Sequence, residues 1–354
     1  MKRQLFIILL LGTSVCLVLG QNNPKEYYKY INEAELACLQ MSDENDMGQK
    51  AARCYEKAFA ANRPFSKDLR QYLLLYSYNK QGRMDVALEC AHILAQRGML
   101  WPKWYVADTA FQRTLYLIKD TTRVITDPEL VAALDSLRAR DQRIRTSASR
   151  WGDDADKAMA ETDSINMQSL VELFRHYGYL NEDNAGELYA NITELLFIHN
   201  SKTRTAELPF DIVEKAVKEG TYDARSYMDF YDECLNWRCQ ADTGCDTRYG
   251  LGFNSNIVIG NTLFIYPTGD VAEINAHRKE LGVSETYADY EKKLQAAFFH
   301  GAGFVPRLNI GDFGDPDEDA AAAAEARAEI DSGKYKGRYL IKQLKNTSLN
   351  VMLL

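Results

Sequence analysis

The sequence predicts a mainly α-helical protein, in which helical hairpins come first and a second helical domain with one small β-hairpin follows. Apolar residues recur every three or four positions through most of the chain, as they do on the buried face of a helix. The motif Ala51-x-x-x-Tyr55-x-x-Ala58 returns 36 residues later, from Ala87 to Leu94, which indicates a repeated pair of helices. Between residues 256 and 266 the period changes to that of two short strands joined by a two-residue turn.

The first twenty residues have the composition of a secretory signal. Lys2 and Arg3 precede an almost wholly apolar run that ends in a small-residue site at Gly20, so residues 1–20 are predicted to be removed. The run, at roughly 14 residues, is shorter than the ~20 needed to span a bilayer. An alternative is a lipid anchor on Cys16, which fits less well because Val15 stands where a small residue is expected. The predicted location is therefore periplasmic or extracellular, without a transmembrane segment.

The charge and composition narrow the class of partner. The formal charge of −8 becomes −10 when Lys2 and Arg3 are removed. An acidic surface repels phosphate backbones, so no nucleic-acid partner is expected. Apolar residues at 46% and charged residues at 26% are ordinary globular values. The expected partner is a protein or peptide, or a small polar ligand.

Six cysteines follow the signal segment, an even number that permits disulfides in an exported protein. Cys239 and Cys245 flank a turn-rich loop and are the best candidate pair. Cys234, Cys239 and Cys245 could alternatively bind a metal, but their spacing is not that of a zinc site. The remaining three lie in amphipathic stretches and are predicted to be free and buried: Cys38, Cys54 and Cys90.

Residues 21–126 are predicted to form helical repeats with a cap. Each repeat unit contains a helix, a turn and a second helix, and the segment from Trp101 to Asp127 is expected to cover the last unit. This arrangement resembles tetratricopeptide repeats, although the period is 36 rather than 34. The resemblance implies protein or peptide binding on a concave face, where Tyr28 or Tyr72 would contact the partner. A short array could alternatively serve only as a packing platform for the next domain.

A second domain is predicted over residues 127–296. Asp127-Pro128 suits the start of its first helix, and Asp163 or Ser164 could cap the second. Further helices are predicted after Asp183-Asn184, over 209–220 and 224–237, and from about Asp270 and Tyr287. Residues 297–354 are predicted to form a loop and C-terminal helices.

An ordered string of polar residues runs through this second domain. Its members are Asp141-Gln142-x-x-Arg145, Asp163-x-x-Asn166, His199, Tyr231-Asp232, Arg248-Tyr249-Gly250 and His277-Arg278-x-x-x-Gly282. The string resembles an uncharacterised bacterial domain that often follows tetratricopeptide-like repeats in exported proteins. The chain departs from that pattern near Cys234–Asp246, where a cysteine-bearing loop is inserted, and at Ile198. The resemblance supports the domain boundaries and implies no activity.

The polar string provides the candidate site residues. Asp141 and Arg145 are spaced to pair on one helix face, and His199 could act as a general base. With Tyr249 these form the candidate catalytic set, and the candidate ligand-binding set is Gln142, Asn166, Asp232 and Arg278. The alternative is a buried polar network that only fixes helix packing.

Two functions remain open at this point. Familiar signatures of zinc peptidases, serine hydrolases and nucleotide enzymes are missing from the sequence, and no cofactor or metal is predicted. The favoured hypothesis is a binding or scaffold protein of the bacterial envelope that acts through its helical repeats. The alternative is a hydrolase with a polar pocket that uses His199 as its general base.

Overall fold

The computed structural model of the protein describes residues 22–41, 44–99, 109, 111–113, 127–146, 154–203, 207–239, 247–251, 256–259, 262–265, 270–299 and 341–343. The helices of the first part are α1 Pro24–Cys38, α2 Met47–Ala61, α3 Ser66–Asn79 and α4 Met84–Gln96. Those of the second part are α5 Pro128–Thr146, α6 Ala155–Tyr177, α7 Glu187–Thr203, α8 Phe210–Lys218, α9 Ala224–Cys239, α10 Val271–Glu280 and α11 Tyr287–Phe299. The described chain is therefore mainly helical, as predicted.

The first four helices pack as neighbours along the chain. Helix α1 lies against α2, α2 against α3, and α3 against α4. The repeated small residues Ala51, Ala58 and Ala87 are completely buried, which lets adjacent helices approach closely. Gly82 follows α3 with a φ of 90°, a left-handed conformation that favours glycine.

The two tyrosines predicted to face a partner lie in the interior instead. Tyr28 is 2% exposed and Tyr72 is fully buried. The Tyr28 hydroxyl accepts a hydrogen bond from the Ala224 backbone N–H at 2.8 Å, and the Tyr72 hydroxyl donates to Glu56 at 2.7 Å. That expectation was wrong because the spacing of aromatic residues along a helix is the same for an exposed tyrosine and for a buried one whose hydroxyl has a hydrogen-bond partner.

Helices α5, α6 and α7 pack against one another, and α9 packs on α7 and α8. The predicted cap at Asp163 is wrong, because α6 begins at Ala155, eight residues before it. Asp163 therefore lies inside α6, where it is 2% exposed. Its carboxylate forms an ion pair with Arg145 of α5, so it serves packing between helices rather than the start of one.

A small antiparallel sheet of order β1-β2-β3 completes the described elements. Strand β1, Asn256–Ile259, pairs with β2, Thr262–Ile265, with Ile259 opposite Thr262. Strand β3, Ile341–Gln343, pairs with the other edge of β2. The prediction of only loop and helix after residue 296 was wrong for these three residues, because a strand this short has no detectable period of its own.

Two buried arginines join the first four helices to the rest of the described chain. Arg97, at the end of α4, donates to the Pro64 carbonyl at 3.0 Å and pairs with Glu182 at 3.0 Å. Arg225 of α9 pairs with Glu35 of α1 at 3.1 Å and with Asp68 of α3 at 2.5 Å. One continuous apolar core runs from Tyr27 to Tyr290, while the domain boundary at residue 126 stays a prediction.

Some predictions lie outside the described residues. These are the signal segment 1–20, most of the cap over 101–126, and the C-terminal segment except residues 341–343. Cys245 and the side chain of Cys239 also lie outside, so their disulfide stays a prediction. Cys38, Cys54 and Cys90 are free and buried, and Cys234 is buried. Within the described ranges, none of the helices is both long and apolar enough to cross a bilayer.

Candidate functional site

The structure divides the predicted site residues into two groups. The first, here called the His199 cluster, lies where α5, α6 and α7 meet and contains Asp141, Gln142, Arg145, Asp163, Asn166, His199, Asn200 and Thr203. The second, here called the Asp232 group, contains Asp232, Arg248, Tyr249, Gly250 and Arg278. Within the described residues, His199 contacts Asp141, whereas Tyr249 contacts Asp232 and Arg278. Tyr249 and Arg278 are therefore not partners of His199.

Asp141 is the hub of the His199 cluster. Its Oδ1 contacts His199 Nδ1 at 2.8 Å and Arg145 Nη1 at 2.8 Å, and its Oδ2 accepts from the Gln142 amide at 2.9 Å. Burial acts to raise the pKa of Asp141. The hydrogen bond with His199 and the charge of Arg145 outweigh that effect, so the pKa lies below its ordinary value.

This contact fixes the orientation of the His199 ring. A carboxylate can only accept, so Nδ1 carries the proton that it donates to Asp141. In the neutral ring Nε2 is then the nitrogen with a lone pair. The side chain of His199 is 11% exposed. The ring is therefore held in place with Nε2 as its acceptor, which is the arrangement of a general base or of an acceptor for a ligand N–H or O–H.

Asp163 forms the second carboxylate of the cluster. It accepts from Arg145 Nη2 at 2.8 and 3.1 Å and from the Thr203 hydroxyl at 3.2 Å. Arg145 thus bridges two carboxylates, with its own side chain 21% exposed. Sequence reasoning missed Thr203 and gave Asp163 the role of a cap. The spacing of Asp163 from the buried Met167 and Leu170 was the signal that could have placed it on the inner face of α6.

Two buried amides lie on α6 and α7, the helices that carry Asp163 and His199. Asn200 is fully buried, and its Nδ2 donates to the Asp163 carbonyl at 3.0 Å. Its Oδ1 accepts no hydrogen bond from the part of the chain that the structure describes. Asn166 is 1% exposed, and neither Nδ2 nor Oδ1 has a hydrogen-bond partner among the described residues. An unpartnered buried polar group costs about 1–3 kcal/mol. The cluster therefore holds one donor group and two acceptors that no described residue satisfies.

The Asp232 group is an anchored turn. Asp232 is fully buried and accepts from the backbone N–H groups of Arg248 at 2.9 Å, Tyr249 at 3.0 Å and Leu251 at 2.9 Å. Burial raises the pKa of Asp232 to about 7, although these N–H groups oppose the rise. Arg278 is 1% exposed, donates Nε–H to the Tyr249 carbonyl at 2.8 Å and pairs with Glu285 at 3.0 Å. Asp232 and Arg278, two of the four predicted ligand-binding residues, thus form hydrogen bonds to the backbone of this turn.

The described residues contain no group of three or more His, Cys, Asp or Glu side chains placed to hold a metal ion. The chemistry available at the His199 cluster is therefore that of an oriented imidazole, an Arg–carboxylate pair and two unpartnered amides. Both formal negative charges are already close to Arg145 or His199. The cluster is better suited to a neutral polar group than to a second ion.

Comparison with models of known protein families finds no match for the sequence. No curated protein is similar to it, and no solved structure matches its fold.

Proposed function

We propose that the protein is an exported bacterial binding protein whose His199 cluster takes a small, uncharged polar ligand. In this proposal the first four helices are tetratricopeptide-like hairpins that act as a scaffold, and a small β-hairpin accompanies the second helical domain. The placement in the periplasm or outside the cell depends on the signal-like residues 1–20. The observation that carries the ligand site is a pair of buried amides on α6 and α7, Asn166 and Asn200, whose side chains keep polar atoms with no hydrogen-bond partner among the described residues.

The free-energy cost of burying these unpartnered amides supports a role in ligand binding over a role only in helix packing. A network that only fixed helices would gain stability if its buried polar atoms were paired or replaced by apolar groups. Asn166 pairs with nothing in the described residues, yet it lies one turn after Asp163 on the inner face of α6. Functional sites are where proteins keep groups that lower their stability. A ligand with both donors and acceptors would recover that cost on binding.

The hydrolase alternative is favoured by one contact, the 2.8 Å hydrogen bond between Asp141 and His199 Nδ1. It orients the ring as a general base is oriented, with Nε2 as the proton acceptor. The enzyme hypothesis requires a water or hydroxyl beside Nε2 and predicts turnover that is lost in His199→Ala without loss of stability. The binding hypothesis predicts saturable binding with no change in the ligand.

Thermal unfolding with a panel of probes tests the proposed function. The uncharged probes are glucose and N-acetylglucosamine, and the charged comparisons are zwitterionic alanyl-alanine and acetate, each added to the full chain at millimolar concentration. We expect at least one uncharged probe to raise the melting temperature by several degrees, since ligand at about 100 times its dissociation constant adds about 2.7 kcal/mol. His199→Gln should abolish the shift, because Gln cannot reproduce the oriented ring acceptor.

His92→Gln is the matched control. His92 contacts Gln96 at 3.0 Å on α4 and has no part in the cluster, so this variant should bind as the wild type does. The binding proposal is wrong if neither uncharged probe shifts the melting temperature, or if the shift persists in His199→Gln. Release of a hydrolysis product from a bound probe, seen by mass spectrometry, would favour the enzyme instead.

A further inference from the structure

The Asp232 group holds a single arginine in a fixed position near the surface. Asp232 accepts hydrogen bonds from the backbone N–H of Arg248 and from those of Tyr249 and Leu251, which follow it. Arg278 holds the carbonyl of Tyr249 from the other side. The backbone that carries Arg248 is therefore fixed by two fully buried charged side chains. One buried acceptor and one buried donor thus hold the backbone of this short turn from two sides.

Gly250 allows this turn to pack closely against the ring of Tyr287. Its φ is +73°, and a Cβ built there would lie 2.7 Å from the ring of Tyr287. Real Cβ atoms essentially never come that close, so the turn can pack this tightly only with glycine at position 250. The contact with Tyr287 therefore also restricts the position of the turn.

The guanidinium of Arg248 lies between two aromatic rings. Its carbon is 5.7 Å from the centroid of Tyr231 and 5.6 Å from that of Tyr249. Phe210 continues the aromatic surface, with its ring 4.6 Å from that of Tyr231. Arg248 Nε is buried with no hydrogen-bond partner among the described residues. The two rings and a hydrogen bond with the Tyr231 hydroxyl hold the side chain.

Arg248 is also accessible and weakly neutralised. Its side chain is 36% exposed, and the nearest paired carboxylate, Glu280, is 3.9 Å away and 62% exposed. An exposed pair at that distance contributes at most about 1 kcal/mol. Glu214 also faces this region, but it accepts a hydrogen bond from the Tyr227 hydroxyl at 2.9 Å. A ligand can therefore displace Glu280 at little cost.

We propose that Arg248 binds the carboxylate of a ligand that also carries a flat apolar group. A guanidinium presents its N–H groups as a planar fork that matches a carboxylate with two parallel hydrogen bonds. The Tyr231 and Phe210 rings next to it would contact the apolar group. This second site shares no residue with the His199 cluster, and the proposal holds whether or not that cluster binds a ligand.

The experiment is an NMR titration of the full chain at low ionic strength, with benzoate, benzamide, acetate and phosphate as probes. Benzoate is expected to bind at one site and perturb the Arg248 side-chain signal. It should bind more tightly than acetate, which lacks the ring, and than benzamide, which lacks the charge. Arg248→Gln should weaken benzoate binding by about tenfold or more. Arg248→Lys should also weaken it, because a point charge lacks the fork.

The control is Arg175→Gln, which removes an exposed arginine of α6 that pairs with Glu172; it should bind benzoate as the wild type does. The proposal is wrong if benzoate leaves the Arg248 signal unchanged, or if Arg248→Gln binds it equally well. Binding of benzamide as tight as that of benzoate would show that the rings act without the arginine. Tighter binding of phosphate would show a general anion site rather than a carboxylate site.

Discussion

Replacing Arg225 with methionine is expected to lower the free energy of unfolding by about 3–5 kcal/mol, the cost of leaving buried charges uncompensated. Arg225 is 9% exposed and contacts three carboxylates, Glu35 at 3.1 Å, Asp68 at 2.5 Å and Asp223 at 3.3 Å. Lys293 remains beside Glu35 in the variant, but the guanidinium is removed from Asp68 and Asp223. Methionine preserves most of the side-chain volume, so the loss reports charge rather than a cavity.

Urea unfolding of the purified chain measures this loss, and Arg175→Met serves as its control. Arg175 pairs with Glu172 on the surface, with both side chains about two-thirds exposed, so its removal should change stability by less than about 0.5 kcal/mol. A loss of under about 1 kcal/mol in Arg225→Met would mean that helices α1, α3 and α9 do not depend on this network.

Replacing Asp232 with alanine is expected to destabilise the protein by about 3 kcal/mol at pH 5, because three backbone N–H groups lose their acceptor. The effect should depend on pH. With a folded pKa near 7, above the ordinary 3.8, the carboxyl takes up a proton on folding between these values. Its contribution to stability is therefore complete below about pH 4 and is lost as the pH rises through 7, so the variant should lose less at pH 8.

Unfolding at pH 5 and pH 8 tests this, with Asp232→Asn as the companion variant. The amide keeps one oxygen as an acceptor, so its loss at pH 5 should fall between zero and that of alanine, and its stability should vary less with pH. Equal stability of Asp232→Ala and wild type at pH 5 would contradict the anchoring role. If the turn does hold Arg248, the alanine variant should also bind benzoate more weakly.

Local signals in the sequence predicted helix starts well. Asp127 accepts from the Glu129 backbone N–H at 2.9 Å, and Asp270 accepts from the Ala272 N–H at 2.7 Å, each as a cap is expected to do. Capping depends on residues two or three positions apart, so a local pattern contains the information. Asp163 shows where this reasoning fails. Its partner, Arg145, lies on another helix, and a cap motif and a buried ion pair have the same local sequence.

The candidate site was predicted only in part, because local spacing predicts contacts within one helix and not contacts between helices. The i,i+4 spacing predicted the Asp141–Arg145 pair, which is observed at 2.8 Å. The contact of His199 with Asp141 joins residues 58 positions apart, and only the order of the polar string suggested it. Nothing in that order separates His199 from Tyr249, which the fold places in a different group. Sequence spacing along one helix does not determine which helices meet.

Stability of Asn166→Leu is the most direct test of the claim that the His199 cluster is a binding site. The side chains are similar in size, and the asparagine amide has no hydrogen-bond partner among the described residues. The variant should therefore be as stable as the wild type or about 1 kcal/mol more stable. Asn181→Leu is the matched control, since Asn181 Oδ1 accepts from the backbone N–H of Asp183 at 2.9 Å and of Asn184 at 3.2 Å. It should lose about 1–3 kcal/mol. A loss in Asn166→Leu equal to that of Asn181→Leu would show that the amide supports the fold, and the binding account would be contradicted.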